Sequence, residues 1–119
     1  MSQTESNGRP TLLAVSDAVV PTGFSRVVRG VLDPLLEQYD IHQLGVSYHG
    51  DPHDWPWKIY PAGLGGDPFG APRLPWLMDK INPDLIFIVS NLSRVKGYLG
   101  TLGERAQGVP IVVYAAVEA

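Results

Sequence analysis

Residues 11–39 read TLLAVSDAVVPTGFSRVVRGVLDPLLEQY. The stretch opens with an apolar run, Thr11 to Val15, closed by Ser16-Asp17 and then Pro21-Thr22-Gly23. Such a run predicts a buried strand feeding a turn. Beyond the turn, Phe24, Val27, Val28, Val31, Leu32, Leu35, Leu36 and Tyr39 follow one another at spacings 3, 1, 3, 1, 3, 1, 3. That spacing is one face of an amphipathic helix over four turns, with Arg26, Arg29, Asp33 and Glu37 off the stripe. Pro34 interrupts it, because proline lacks the amide proton and crowds the carbonyl four residues earlier. A kink toward solvent, or a restart with Asp33 as N-cap, is expected there. Strand, turn and helix in that order open an α/β domain.

The remaining chain repeats the alternation. Ile41, Leu44 and Val46 predict a second strand, and Trp57 to Tyr60 a short third one. Around that third strand, residues 49–72 hold ten prolines and glycines, the composition of a long ordered loop. Leu74, Leu77, Met78 and Ile81 make a short helix stopped by Asn82-Pro83. Leu85 to Val89 is an unbroken apolar run, as in a strand buried on both faces. Val95, Tyr98, Leu99 and Leu102 mark another helix, and Ile111 to Tyr114 a last strand. The pattern predicts a Rossmann-like α/β fold: an open parallel sheet of order 3-2-1-4-5, with helices on both faces. Residues 11–119 are expected to form the domain, incomplete at its C-terminus, and residues 1–10 a disordered tail. A final strand without a covering helix leaves apolar sheet surface, from which self-association is expected.

Composition narrows the function. One domain is all that 119 residues allow. Nine Lys and Arg against twelve Asp and Glu give a net charge of −3, which offers no electrostatic basis for binding nucleic acid. The absence of cysteine excludes a disulfide scaffold, thiolate zinc, a cysteine nucleophile and an iron–sulfur cluster. No apolar run approaches the roughly 20 residues that span a bilayer, and Met1 to Pro10 is too polar for a signal peptide. A cytoplasmic protein is expected.

In an open parallel sheet, ligands sit beyond the carboxyl ends of the strands. That rule selects Ser16, Asp17, Thr22, Gly23, Phe24 and Ser25 after the first strand, and Tyr48 and His49 after the second. It adds Ser90 and Asn91 after the fourth strand and Glu118 after the last. Pro21-Thr22-Gly23 leads straight into the strong helix, whose first amides attract phosphate or carboxylate. The plain alternative is a helix cap with a tight turn. Neither G-x-G-x-x-G nor a Walker A lysine is present, which disfavours nicotinamide dinucleotides and triphosphate hydrolysis.

His49 and His53 are four apart, but His-Gly-Asp-Pro-His-Asp cannot be helical, so no metal site is expected. Trp55, Trp57 and Tyr60 pack that loop on the sheet edge, or present it to a substrate. Asp40 to Gly45 matches D-x-H-x-x-G of cobalamin binders, but His42 falls inside the second strand rather than in a loop. The match is coincidental. The acidic pair and lysine of a receiver domain are missing, as is the G-x-S-x-G elbow of a hydrolase.

SDAVVPTGFSRVVRGVL (residues 16–32) resembles the first strand–loop–helix of GT-B-fold glycosyltransferases, the family 4 type in particular. LGVSYHGDPHDWPWKIYPAG (44–63), then DPFG (67–70) and RLPWLMDKINPDLIFIV (73–89), are similar to that family's next elements. The resemblance spans about residues 11–117. It implies the acceptor-binding half of a retaining-type enzyme that transfers sugar from a nucleotide-sugar to an acceptor hydroxyl. Thr22, Gly23, Phe24 and Ser25 would lie near the donor phosphates and sugar. Asp17, Tyr48, His49, His53, Asp54, Asn91 and Glu118 would face a sugar or glycan acceptor. The nucleotide-sugar is a co-substrate, and no cofactor is implied. The partner is a C-terminal donor-binding domain, which these residues do not include. Where the family carries proline and glycine around an acidic residue, this chain has Ala116, Glu118 and Ala119.

Overall fold

The computed structural model describes residues 8–19, 22–62 and 70–116. Five strands, β1 (Thr11–Asp17), β2 (Asp40–Val46), β3 (Lys58–Pro61), β4 (Leu85–Asn91) and β5 (Ile111–Ala116), form one sheet. All neighbours are parallel and the order is β3-β2-β1-β4-β5, the expected 3-2-1-4-5. β1 is central, pairing Thr11 with Asp40 on one side and Leu12 with Leu85 on the other. His42 sits within β2, opposite Leu13 and Lys58.

Period-2 alternation divides the core between the two faces. Leu12, Ala14, Ile41, Phe87 and Val89 pack against helix α1 (Gly23–Leu32) through Val28 and Leu32. Leu13, Val15, Leu44, Val46, Ile86 and Ile88 meet helices α2 (Leu74–Ile81) and α3 (Leu92–Leu102). Their counterparts are Leu74, Leu77, Met78, Val95, Tyr98 and Leu102. Each fully buried leucine or isoleucine contributes about 1.5–3 kcal/mol, so the two layers carry most of the driving force.

Pro34 acts earlier than the apolar stripe alone implies. α1 ends at Leu32 and a 3₁₀ turn, Asp33–Leu35, carries the chain on. Asp33 closes α1 as its C-cap, its N–H donating to the Arg29 carbonyl, so the predicted restart on Asp33 as N-cap is not what forms. The four-turn stripe thus splits between a ten-residue helix and a tighter turn, because Pro34 has no amide proton to continue the ladder. At the other end of the chain, Arg9 and Pro10, assigned to the tail by sequence, are tied in. Arg9 Nη1 donates to the Leu36 and Tyr39 carbonyls, and the Pro10 carbonyl accepts from Asp40 N–H at 2.9 Å. Residues 1–7 of that tail lie outside the described residues.

Among the described residues, β5 is covered on one face only. Ile111 and Ala115 join the α2–α3 layer. Val112 and Tyr114, pointing to the α1 side, are each 51% exposed, and Val113 is exposed as well. Among the described residues no helix is long and apolar enough to cross a membrane.

Candidate cleft at the carboxyl ends of the strands

β1 ends at Asp17, and the chain returns to the same sheet edge at Thr22, the N-cap of α1. Thr22 is extended (φ −109°, ψ 168°), and its Oγ1 accepts from the Ser25 amide at 3.1 Å. Ser25 Oγ reciprocates, accepting from the Thr22 amide at 3.0 Å and donating to the Thr22 carbonyl at 2.9 Å. This is a capping box with serine in the place usually held by glutamate. Thr22 Oγ1 also donates to Asp17 Oδ2 at 2.8 Å, tying the end of β1 to the start of α1. With the Ser25 amide taken, the first-turn amides of Gly23 and Phe24 have by position no acceptor within the helix.

A second helix begins beside the first. Asn91 is both the last residue of β4 and the N-cap of α3, so strand passes to helix without a loop. Its Oδ1 accepts from the Arg94 amide at 3.0 Å and from Ser93 Oγ at 3.1 Å. Because β4 neighbours β1 in the sheet, the two helix starts share one edge. Between them and the bare side of β5 lies an open cleft of about 570 Å³. Asp17, Thr22, Gly23, Phe24, Val27, Asn91, Arg94, Tyr114 and Ala116 line it.

The chemistry of the lining is mixed. Two helix N-termini and a guanidinium favour an anion. Phe24, Val27 and the Tyr114 ring give an apolar wall. Asp17 is the one acidic residue among the described lining residues, held by Thr22 and able to accept from a ligand hydroxyl. None of the three histidines lines the cleft. Among the described residues no group of three or more His, Asp or Glu could hold a metal ion. The arrangement can bind and orient a phosphorylated or hydroxylated ligand. It lacks, among those residues, the paired groups that would exchange protons with it.

No protein-family model matches this chain, and no curated protein does.

Of the residues selected by sequence, the cleft brings together Asp17, Thr22, Gly23, Phe24 and Asn91. Ser25 is buried inside the cap and does not line it. Tyr48, His49, His53 and Asp54 belong to another neighbourhood. After β2, Ser47 adopts φ +63° and the Tyr48 amide donates back to the Gly45 carbonyl at 3.2 Å, a turn that tucks the Tyr48 ring into the α1-side core. There the Tyr48 hydroxyl donates to the Asp51 carbonyl, and the His53 ring meets Tyr48 edge-on at 5.8 Å. Asp54 lies 3.9 Å from Arg29 Nη1, and Arg29 stacks over Trp55 at 5.4 Å, so the loop folds along the outer side of α1. His49 is exposed. Glu118 lies outside the described residues.

Val27, Arg94, Tyr114 and Ala116 were not selected by sequence. Arg94 had a legible cue: it is the third residue of a helix that follows a strand end directly. Val27 lies one turn into α1, and Tyr114 and Ala116 border the cleft only because the α1 face of β5 is bare.

Proposed function

We propose that this chain is the acceptor-side part of a GT-B-fold glycosyltransferase of the retaining type, working in the cytoplasm. The cleft is then one wall of an active site that a donor-binding domain completes. The observation that carries this reading is a strand-end cleft with two helix N-termini and an apolar wall, yet a single carboxylate among its described lining residues. In the transfer, the bond between the anomeric carbon and the donor phosphate breaks, and one to the acceptor oxygen forms. The acceptor hydroxyl gives its proton to the departing phosphate oxygen. The Gly23 and Phe24 amides stabilise the departing phosphate, and Asp17 orients the acceptor hydroxyl. The resemblance of residues 16–32 and of the later segments to family 4 enzymes supports the same reading.

A second reading is a non-catalytic α/β module that binds a phosphorylated ligand or a protein partner. The lack of a proton-exchanging pair among the described lining residues favours it.

The test is incubation of the 119-residue protein with a panel of nucleotide-sugars, with and without sugar acceptors, while Gly23 and Phe24 amide resonances are followed. The first reading expects these amides to shift with nucleotide-sugars, no transfer by this chain alone, and transfer when a donor-binding half is added. Shifts with simple phosphate monoesters, and no transfer with any donor half, support the second. Sugar transfer at an ordinary enzymatic rate by this chain alone overturns the half-site reading.

A further inference from the structure

The opposite edge of the sheet carries a second, chemically distinct surface. Arg73, Trp76 and Lys80 are spaced 3 and 4 residues apart, so they form one stripe along α2. Trp76 is 48% exposed, with the Arg73 guanidinium 4.9 Å and Lys80 Nζ 5.5 Å from its ring centre. Tyr60 of β3 meets Trp76 edge-on at 6.2 Å, and Lys58 Nζ lies 5.4 Å over the Tyr60 ring. Two of the nine cations of a net-acidic chain thus flank one half-exposed indole, and a third, Lys58, sits on the tyrosine ring beside it.

The nearby acids among the described residues do not cancel them. Asp79 pairs with Arg105 at 3.6 Å on the other flank of α2. Asp40 faces His42 Nε2 at 3.3 Å, and His42 Nδ1 contacts the Tyr60 hydroxyl at 3.0 Å. Burial first, and Asp40 second, hold the Tyr60 phenol above its ordinary value, so it adds no negative charge at neutral pH. Among the described residues, none of Arg73, Lys58 and Lys80 makes an ion pair. One Arg73 guanidinium nitrogen donates to the Pro61 carbonyl, which fixes that side chain in place.

We propose that the Arg73–Trp76–Lys80 stripe, with Lys58, is a docking site for an acidic peptide segment of a partner protein. Charge complementarity selects the occupant: three cations without an ion-pair partner among the described residues ask for carboxylates. The indole supplies the desolvated anchor at the centre, and Trp and Arg are the residues that dominate such interfaces. An apolar side chain of the segment seats on Trp76, and its acidic neighbours reach Arg73, Lys80 and Lys58. A membrane fits less well, since Trp76 is the one large apolar side chain exposed on α2 and three cations alone bind anionic lipid weakly. RNA is disfavoured by the net charge of the chain.

The probe is a fluorescein-labelled peptide of Glu and Asp residues with one central leucine, titrated with the 119-residue protein by fluorescence anisotropy. Parallel titrations use oligouridylate of the same length and phosphatidylglycerol–phosphatidylcholine vesicles. Saturable peptide binding is expected, weakening as salt is raised. Trp76→Ala and Lys80→Glu should each weaken it by about tenfold or more. Lys80 is exposed, so its variant carries the test even if Trp76→Ala fails to fold. No peptide binding, or binding by Lys80→Glu as tight as by the unaltered protein, overturns the proposal. So does preferential binding of the vesicles or the RNA.

Discussion

Gly23 owes its place neither to packing nor to backbone strain. A Cβ built there meets no atom within 4 Å, and its φ lies outside the left-handed region that favours glycine. Compare Gly45, where an added Cβ would come within 2.7 Å of Ile59 Cγ2 and 3.0 Å of Tyr48 Cβ. Gly45 is demanded by the fold, whereas Gly23 opens space at the head of α1 into the cleft. Replacing Gly23 by valine is therefore expected to change stability by about 0.5 kcal/mol or less, while blocking approach to the Gly23 and Phe24 amides. Thermal melting should read the first effect and loss of the nucleotide-sugar-induced amide shifts the second. Retained shifts in Gly23→Val would show that the turn serves the helix alone. At this scale the sequence was most legible where chemistry follows directly from chain order. Asp17, Thr22, Gly23, Phe24 and Asn91 end strands or begin helices, and the strand-end rule needs nothing more. Among the described residues nothing covers the α1 side of β5; the missing helix after the last strand foretold that bare surface, but not that Tyr114 and Ala116 would border the cleft there.

At the scale of elements, the Pro- and Gly-rich segment after β2 shows why periodicity stops being informative. Its described residues hold one short strand, and a buried glutamine helps to fix its course. Gln43, fully buried in β2, donates through Nε2 to the Ser16 and Asp17 carbonyls at 3.2 and 3.1 Å. Its Oε1 accepts from Trp57 Nε1 at 2.8 Å. One amide thus joins the end of β1, the middle of β2 and the approach to β3. Burying these groups is tolerable only because each is paired. Gln43→Leu keeps much of the volume but strands the indole N–H and removes a donor from both carbonyls. The expected cost is about 2–4 kcal/mol, read as a lower urea midpoint at unchanged slope. Trp57→Phe, which takes away the stranded donor, should cost less when combined with Gln43→Leu than either change predicts by addition. Additive losses would mean that the amide and indole do not act as a unit. From sequence, a glutamine in an apolar strand gives no cue to its partner. Only the tryptophan fourteen residues later makes it a core residue, and that pairing depends on the loop's path, which no spacing rule specifies.

For the whole molecule, the alternation of strands and helices predicted the parallel sheet of order 3-2-1-4-5 with helices on both faces, and a parallel sheet buries its strands on both sides. The exception is β5. It ends the sheet with no charge and no proline between Ile111 and Ala116, the devices that usually blunt an edge. Val112 and Tyr114 add apolar surface on the α1 side, next to the cleft. Water is a poor neighbour for that combination. Burying two such half-exposed side chains is worth roughly 1–3 kcal/mol per protomer, with edge-to-edge strand pairing in addition. The 119-residue protein is therefore expected to self-associate as its concentration rises, through antiparallel pairing of β5 with β5 of a second copy. Sedimentation velocity over a concentration series is the measurement. A Val112→Lys, Tyr114→Lys double variant should stay monomeric, because lysine on an edge strand rejects an identical neighbour. Association that persists in this variant would assign the contact to another surface, and a monomeric unaltered protein at every concentration would show that β5 tolerates water. Adding a donor-binding half should suppress the association if that half covers β5. The same surface then links the two questions, since whatever shields Val112 and Tyr114 also closes the bare side of the cleft.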